Sequence, residues 1–364
     1  MGSCNCIEKR DEPNTATLDR SLKYSVKAKV QQAKEEAAVF DFDSSEPDLD
    51  FATEKRPQLN SEFEADFPLQ KTEGHQGMEV RRTDKSSQGR SGDQQDSKEF
   101  LLGKLTPVAQ EVFTAIGGFK YVKRAKSPTL VSLPLGDLYY GETSSDKNPH
   151  GFGLLVKLEG SVIEGLWQHG SIHGEGLQVY TNGDSYVGNF DHGEVSGHGK
   201  FVNYRGAVYD GHWRNLKQNG EGVETWTDGA VYTGHFVDGK KEGFGVFNWA
   251  DEAKYEGEFL NNNLEGKGKY TWKDGRTYEG DWKNNKMHGQ GKFTWSDGKS
   301  YTGAYQDDAK SGFGVFRWPN GKRYEGQWLG NKMHGRGVIV QQNGERSEGD
   351  WLDGRLLAST QSSI

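Results

Sequence analysis

Four histidines stand in one recurring context. His150, His173, His288 and His334 each open a His-Gly-x-Gly tetrapeptide. Imidazoles ligate divalent metals or relay protons when several converge on one point. The Gly-x-Gly behind each, as in Gly289 and Gly291, has the composition of a phosphate cradle. Both chemistries depend on placement. A cradle must follow a strand and open a helix, and a ligand set must bring donors from separate segments together. The question is therefore which elements carry these tetrapeptides.

The answer is a period of 23 residues. Tyr186, Tyr209, Tyr232, Tyr255, Tyr278, Tyr301 and Tyr324 recur in register, with Ile163 before them and Ser347 after. Counting that residue as position one, position three is always Gly, from Gly165 through Gly257 and Gly280 to Gly349. Position five is aromatic: Trp167, Phe190, Trp213, Phe236, Phe259, Trp282, Tyr305, Trp328 and Trp351. Positions twelve and fourteen are the two glycines of the tetrapeptide. Positions sixteen and eighteen are often aromatic, as in Phe247 and Trp249, Tyr270 and Trp272, Phe293 and Trp295. A further copy opens at Tyr139 and is one residue longer, with its insertion placed in SSDKNP.

Side chains alternate across a strand, so positions one, three and five share a face, as do positions twelve to eighteen on the partner strand. Each copy reads as a β-hairpin with a Gly/aromatic face and a wet face carrying Glu279, Asp281, Gln290, Lys292 and Thr294. Neighbouring rings can lie across the side-chain-free glycines and cover a single-layer sheet. Most copies close with Asn-Gly or Asp-Gly, such as Asp274-Gly275, which predicts a tight turn with both central residues at positive φ. Arg205-Gly206 and Asp251-Glu252 depart from this, and looser turns are expected there.

The pattern Y-x-G-x-F/W…H-G-x-G…D-G resembles the MORN (membrane occupation and recognition nexus) repeat over residues 139–355, in about nine copies. The resemblance implies an all-β repeat, an elongated single-layer antiparallel meander of hairpins curved around its Gly/aromatic face. Nine hairpins give eighteen strands, roughly 85 Å at about 4.8 Å per strand. It also implies docking of protein partners along that surface. The groove is placed on the middle copies, at Tyr232, Phe236, Trp249, Tyr255, Phe259, Tyr270, Trp272, Tyr278, Trp282, Phe293 and Trp295.

In this frame the Gly-x-Gly is a strand feature and no nucleotide site is expected. The histidines fall mostly in non-successive copies, with copies about 10 Å apart, so a turn-stabilising role is expected of them, and no metal, cofactor or catalytic residue. Some MORN proteins add a kinase or methyltransferase domain. The 138 residues before the array leave no room for one, and the chain reads as a non-enzyme. Carboxylates such as Asp281 and Glu325 are expected to pair with lysines across strands.

Before the array, the sequence divides into a polar head (1–22), a short weakly amphipathic helix (23–40), a mostly disordered linker (41–98) and a helical cap with lead-in (99–138). A tail (356–364) follows the array. In the cap, Thr106 is an N-cap and Pro107 the first helical residue. Leu101, Leu105, Val108, Val112 and Ile116 are expected on the face that covers the end of the array. Composition adds bounds. The 364 residues include 50 Gly, with 32% hydrophobic residues and net charge −8, which argues against nucleic-acid partners. No apolar run is long enough to span a bilayer. Cys4 and Cys6 are the only cysteines.

The start, MGSCNC, resembles a dual-acylation signal: Gly2 for a myristoyl amide, Cys4 and Cys6 for palmitoyl thioesters, with Cys6 where Ser or Thr is usual. One myristoyl chain binds membranes only marginally, so the palmitoyl groups would be the second signal. The expectation is a scaffold or adaptor tethered to the cytosolic face of a membrane, holding a cytoskeletal or membrane-junction protein. A phosphoinositide-binding module is one alternative, disfavoured by about 25 basic against 30 acidic residues in the array. A soluble ciliary or cytoskeletal protein is the other. An exposed final edge at Ser347–Leu352 leaves room for a homodimer.

Overall fold

The computed structural model describes residues 92–118 and 128–361. Gly2, Cys4 and Cys6, the expected helix at 23–40 and the linker up to residue 91 lie outside the described residues.

Twenty-one strands, from β1 (Thr129–Ser132) to β21 (Arg355–Gln361), form one open sheet in which every strand runs antiparallel to its chain neighbours. The hairpin of β12 (Lys254–Leu260) and β13 (Asn263–Thr271) shows the common plan. Tyr255 faces Tyr270 and Gly257 faces Gly268, and then the register slips. Gly266, at φ +57, sits in the slip. The bulge leaves backbone groups without ladder partners, and two side chains meet them. From the aromatic face, the Tyr255 hydroxyl donates to the Glu258 carbonyl at 3.0 Å. From the outer face, the Glu258 carboxylate accepts from the Lys267 N–H at 3.0 Å. The next copy repeats both bonds with Tyr278 to Asp281 O, and Gln290 N to Asp281 Oδ2.

The invariant glycines follow from the tyrosine. Its ring lies flat along the hairpin, and a Cβ on Gly268 would run into the Tyr255 hydroxyl, while one on Gly257 would meet the Gly268 backbone. At Trp167, Trp213, Trp282 and Trp328, all at position five, the indole N–H reaches back one copy. Trp282 Nε1 donates to Gly268 O at 3.1 Å, as Trp213 does to Gly199 O at 2.9 Å.

The turns differ from expectation. At Asp274-Gly275 only the glycine has positive φ, at +86. Asp274 Oδ1 accepts from Arg276 N at 3.0 Å, which holds the aspartate right-handed and leaves one left-handed position, a three-residue loop closing on Trp272. The two-residue turns with both φ positive are at positions seven and eight, for example Asn284 (+48) and Asn285 (+66). These turns also link copies: Asn285 Oδ1 accepts from Leu264 N at 2.7 Å while Asn285 N donates to Leu264 O at 3.0 Å. The two turns expected to be loose keep the common hydrogen bonds. Gly206 N donates to Asn203 O at 2.9 Å, and Glu252 N to Trp249 O at 3.1 Å with Glu252 itself at φ +75.

Ahead of the sheet lie α1 (Gly92–Leu102) and α2 (Pro107–Ile116). Helix α1 begins inside the stretch read as linker. Thr106 caps α2, accepting from Ala109 N at 3.2 Å, and Gly117 ends it in the left-handed region. The buried face is Leu101, Leu105, Ala109 and Phe113, with Val112 and Ile116 beside it. Val108, expected in that face, is exposed, because 109 and 113 are the pair one helical turn apart that faces the sheet.

This face does not cover an end of the array. It packs on Leu154 and Val156 of β3 (Pro149–Val156), Val162 of β4 (Val162–Gln168), and Leu177 and Val179 of β5 (Ser171–Val179). Those residues lie on the face opposite Tyr139, Gly153 and Trp167, so beneath the helices the outer face of the first hairpins is apolar. The last edge also differs. β20 (Arg346–Leu352), expected to be exposed, is paired by β21 through a turn at Asp353-Gly354, both at positive φ.

Candidate binding surface

The Gly/aromatic face carries two continuous rows of rings. In the first, the position-one tyrosine packs edge-on against position five of its own copy and of the next: Tyr255 against Phe259 at 5.2 Å and Trp282 at 5.5 Å between centroids. The zigzag runs unbroken from Phe190 to Trp351. The second row alternates positions eighteen and sixteen: Trp249, Tyr270, Trp272, Phe293, Trp295, Phe316 and Trp318, with centroid spacings between 4.5 and 5.4 Å. Each such pair contributes about 0.5–1.5 kcal/mol beyond area burial, so the rows are the core of a sheet that, among the described residues, has no second layer over this face.

Of the eleven residues read as a groove, nine are buried: Tyr232, Phe236, Trp249, Tyr255, Phe259, Tyr270, Tyr278, Trp282 and Phe293. Trp272 and Trp295 are half-buried, and so is Trp318, one copy further on, which the sequence reading left out. The three directly follow the ends of their strands, at Thr271, Thr294 and Arg317, and close the three-residue loops. Trp226 and Trp249, at the same position in earlier copies, are buried. Cations flank the row: Arg276 lies 5.6 Å over Trp272, and Lys322 lies 5.0 Å over Trp318.

Two lysines enter this face at position ten, where the copy from Tyr209 carries Gln218 and others carry Ile172, Val195, Leu264, Met287 or Met333. Lys241 meets Glu224, which replaces the usual ring at position sixteen, at 2.7 Å, with both side chains buried. Burial pushes the Glu224 carboxyl above the ordinary carboxylate range, and Lys241 offsets part of that rise. The corresponding residue near Lys310 is Phe293. Lys310 Nζ lies 5.2 to 5.9 Å from the rings of Trp295, Trp328, Tyr301 and Phe316. Desolvation lowers its ammonium to about 7.

The outer face of the middle copies is charged. Asp281 pairs with Lys267 across strands, as expected, in addition to its bond in the bulge. Glu325 differs, pairing with Arg323 two residues back on its own strand at 2.5 Å; that guanidinium holds Glu325 below the usual carboxylate range. The histidines sit along the two-residue turns, each beside the turn of the following copy. His150 packs on His169, and His288 lies 4.0 Å from Asp307. His173 meets both Asp191 and His192, a convergence that spacing alone did not suggest. His334 Nδ1 makes no hydrogen bond among the described residues.

The MORN repeat family model matches seven segments of the chain: residues 164–185, 209–231, 232–254, 255–275, 278–300, 301–323 and 324–346. The chain thus carries seven MORN repeats by that measure, and the hairpin at 186–208 between them has the same strand plan. The family is one of non-catalytic binding modules. No curated protein matches the chain. Among solved structures, it is similar to the TCP10 domain of Danio rerio CPAP in complex with a STIL peptide, at 11% identity and TM-score 0.34, covering 65% of this chain and 100% of that one. The TCP domain of Drosophila melanogaster SAS-4 with a proline-rich motif of Ana2 matches at 11% identity and TM-score 0.26, over 58% of this chain and 98% of that one. At these scores the likeness carries no argument about this chain.

Proposed function

We propose that this protein is a non-enzymatic scaffold that holds a protein partner against the half-buried tryptophan row and is tethered to the cytosolic face of a membrane by its N-terminus. The observation that supports the docking part is the regular row of Trp272, Trp295 and Trp318, one per copy, each half-buried beside the three-residue loop. Indoles with one dry and one wet side are the residues from which binding energy is most often drawn. The flanking Arg276 and Lys322 favour a partner segment with acidic or aromatic side chains.

The tether reading rests on Gly2, Cys4 and Cys6 and on the need for two acyl chains. Two sets of variants test the two parts separately. Trp272→Gln, Trp295→Gln and Trp318→Gln use the residue that stands at the same position in the copy from Tyr324, Gln341. The triple variant should keep the β-sheet circular dichroism of the wild type at a lower melting temperature, and below that temperature lose proximity-labelled partners that wild type acquires in cells; an unchanged partner set overturns the docking surface. Gly2→Ala and the Cys4→Ser/Cys6→Ser double variant should each move the protein from the membrane pellet to the supernatant. If both fractionate like wild type, the tether reading fails and the array alone determines location.

A further inference from the structure

Position eleven of each copy faces positions six and seven of the next, at the two-residue turn. In most places this triad holds unrelated polar or apolar residues, such as Glu265 with Lys283 and Asn284. Between the copies starting at Ile163 and Tyr186 it holds three metal-ligand side chains. His173 comes from β5, Asp191 ends β6 (Ser185–Asp191), and His192 begins the turn. His192 Nδ1 lies 2.6 Å from Asp191 Oδ1, and His173 Nδ1 lies 3.3 Å from the same oxygen. The imidazoles are edge-on at 5.2 Å between centroids. One donor atom from each of the three residues falls within 4.8 Å of the others, the one such group among the described residues. His173 Nδ1 is buried and makes no hydrogen bond there.

We propose that His173, Asp191 and His192 form a binding site for a divalent transition-metal ion. Two imidazoles and a carboxylate suit zinc or copper, and they are poor ligands for calcium or magnesium, which favour all-oxygen sets. Bond lengths of about 2.0–2.2 Å to nitrogen and oxygen place tetrahedral donors roughly 3.3–3.5 Å apart, so only small side-chain shifts are required. Asp191 and His192 are exposed enough to make them. Three protein ligands leave one position for water. Bound there, the ion would clamp the turn at His192-Gly193 onto β5 and cross-link two successive copies through side chains as well as through the sheet.

The array supplies its own controls. Ser196 and Ser311 occupy the position of His173 in other copies, and Asn215, Asn261 and Asn284 occupy that of His192 at the same positive φ. His173→Ser and His192→Asn therefore keep local structure. The test is calorimetric titration of the full chain with Zn²⁺, in a Cys4→Ser/Cys6→Ser background so that N-terminal thiolates contribute nothing. The expected result is one equivalent of Zn²⁺ bound at micromolar concentration, with at least a tenfold loss of affinity in each histidine variant and unchanged melting of both variants in chelator. Wild-type-like titration of His173→Ser and His192→Asn would overturn the site, as would the absence of stoichiometric binding in the parent.

Discussion

The hairpins between Tyr139 and Tyr180 and those between Tyr255 and Trp318 share one 23-residue plan and one aromatic face, yet they solve the other face in opposite ways. In the first region Leu154, Val156, Val162, Leu177 and Val179 make that face apolar, and α2 covers it with Ala109 and Phe113. In the second, Lys269, Thr271 and Thr277, then Lys292, Thr294 and Ser300, occupy the corresponding positions and meet solvent or strand neighbours. A tyrosine folded over paired glycines is thus sufficient to support a one-layer sheet. A second layer is an option chosen by the residues at positions fifteen, seventeen and twenty-three.

The sharpest way to break this contrast is to exchange its outer residues. Leu177→Lys places a charge among fully buried aliphatics and should cost about 4–5 kcal/mol, seen as a collapse of the first melting transition. Phe113→Ala removes the helix contact alone. It should cost about 3–5 kcal/mol and raise amide exchange in β3, β4 and β5 while β12 to β15, the last of these at Lys286–Thr294, exchange as in wild type, since neighbouring repeats carry most of the coupling in such arrays.

Lys310 tests the face the two regions share. Unfolded, its ammonium holds a proton up to about pH 10.5; folded, only up to about 7. Between those values the unfolded chain binds more protons, so stability rises with pH by up to about 1.4 kcal/mol per unit, and below about 7 the penalty is complete. Lys310→Met, the residue of the flanking copies at Met287 and Met333, should flatten that slope and raise the melting temperature at pH 7. The smallest effect is expected from Lys269→Leu, an exposed outer position with no helix above it, which should stay within about 0.5 kcal/mol. A large loss there would mean that the open face carries packing of its own.

Much of this was legible in the period. Tyr, Gly and aromatic positions at fixed parity predict the hairpin, its strand faces and the rings that fill it. The bulge was not readable, because a slip in register changes no residue type; the clue was the first glycine of each tetrapeptide, which takes positive φ where a plain strand does not. Turn types were exchanged for a related reason. Asp-Gly suits two loops equally, and which one forms depends on whether the aspartate side chain bonds two residues ahead, as Asp274 does. The aliphatics at Leu177 and Val179 were visible, but the polarity of the middle copies does not extend to the first ones. For the proposed docking row, the sequence offered aromatics without their exposure. Full burial of position sixteen within the second ring row, with Trp272, Trp295 and Trp318 at position eighteen only half-buried beside the loop, is a three-dimensional outcome.

The turn residues at position eight carry a last consequence. Asn262, Asn285, Asp308 and Asn331 each bond, through side chain and backbone, to position ten of the copy before. Each of the copies from Tyr255 to Tyr324 therefore receives from its predecessor the same socket. Duplicating or deleting a whole 23-residue unit inside the middle of the array preserves every junction, so the array's length is free to drift over generations by whole units. The unit under α2 has no such freedom, because its outer surface fits one helix and is present once.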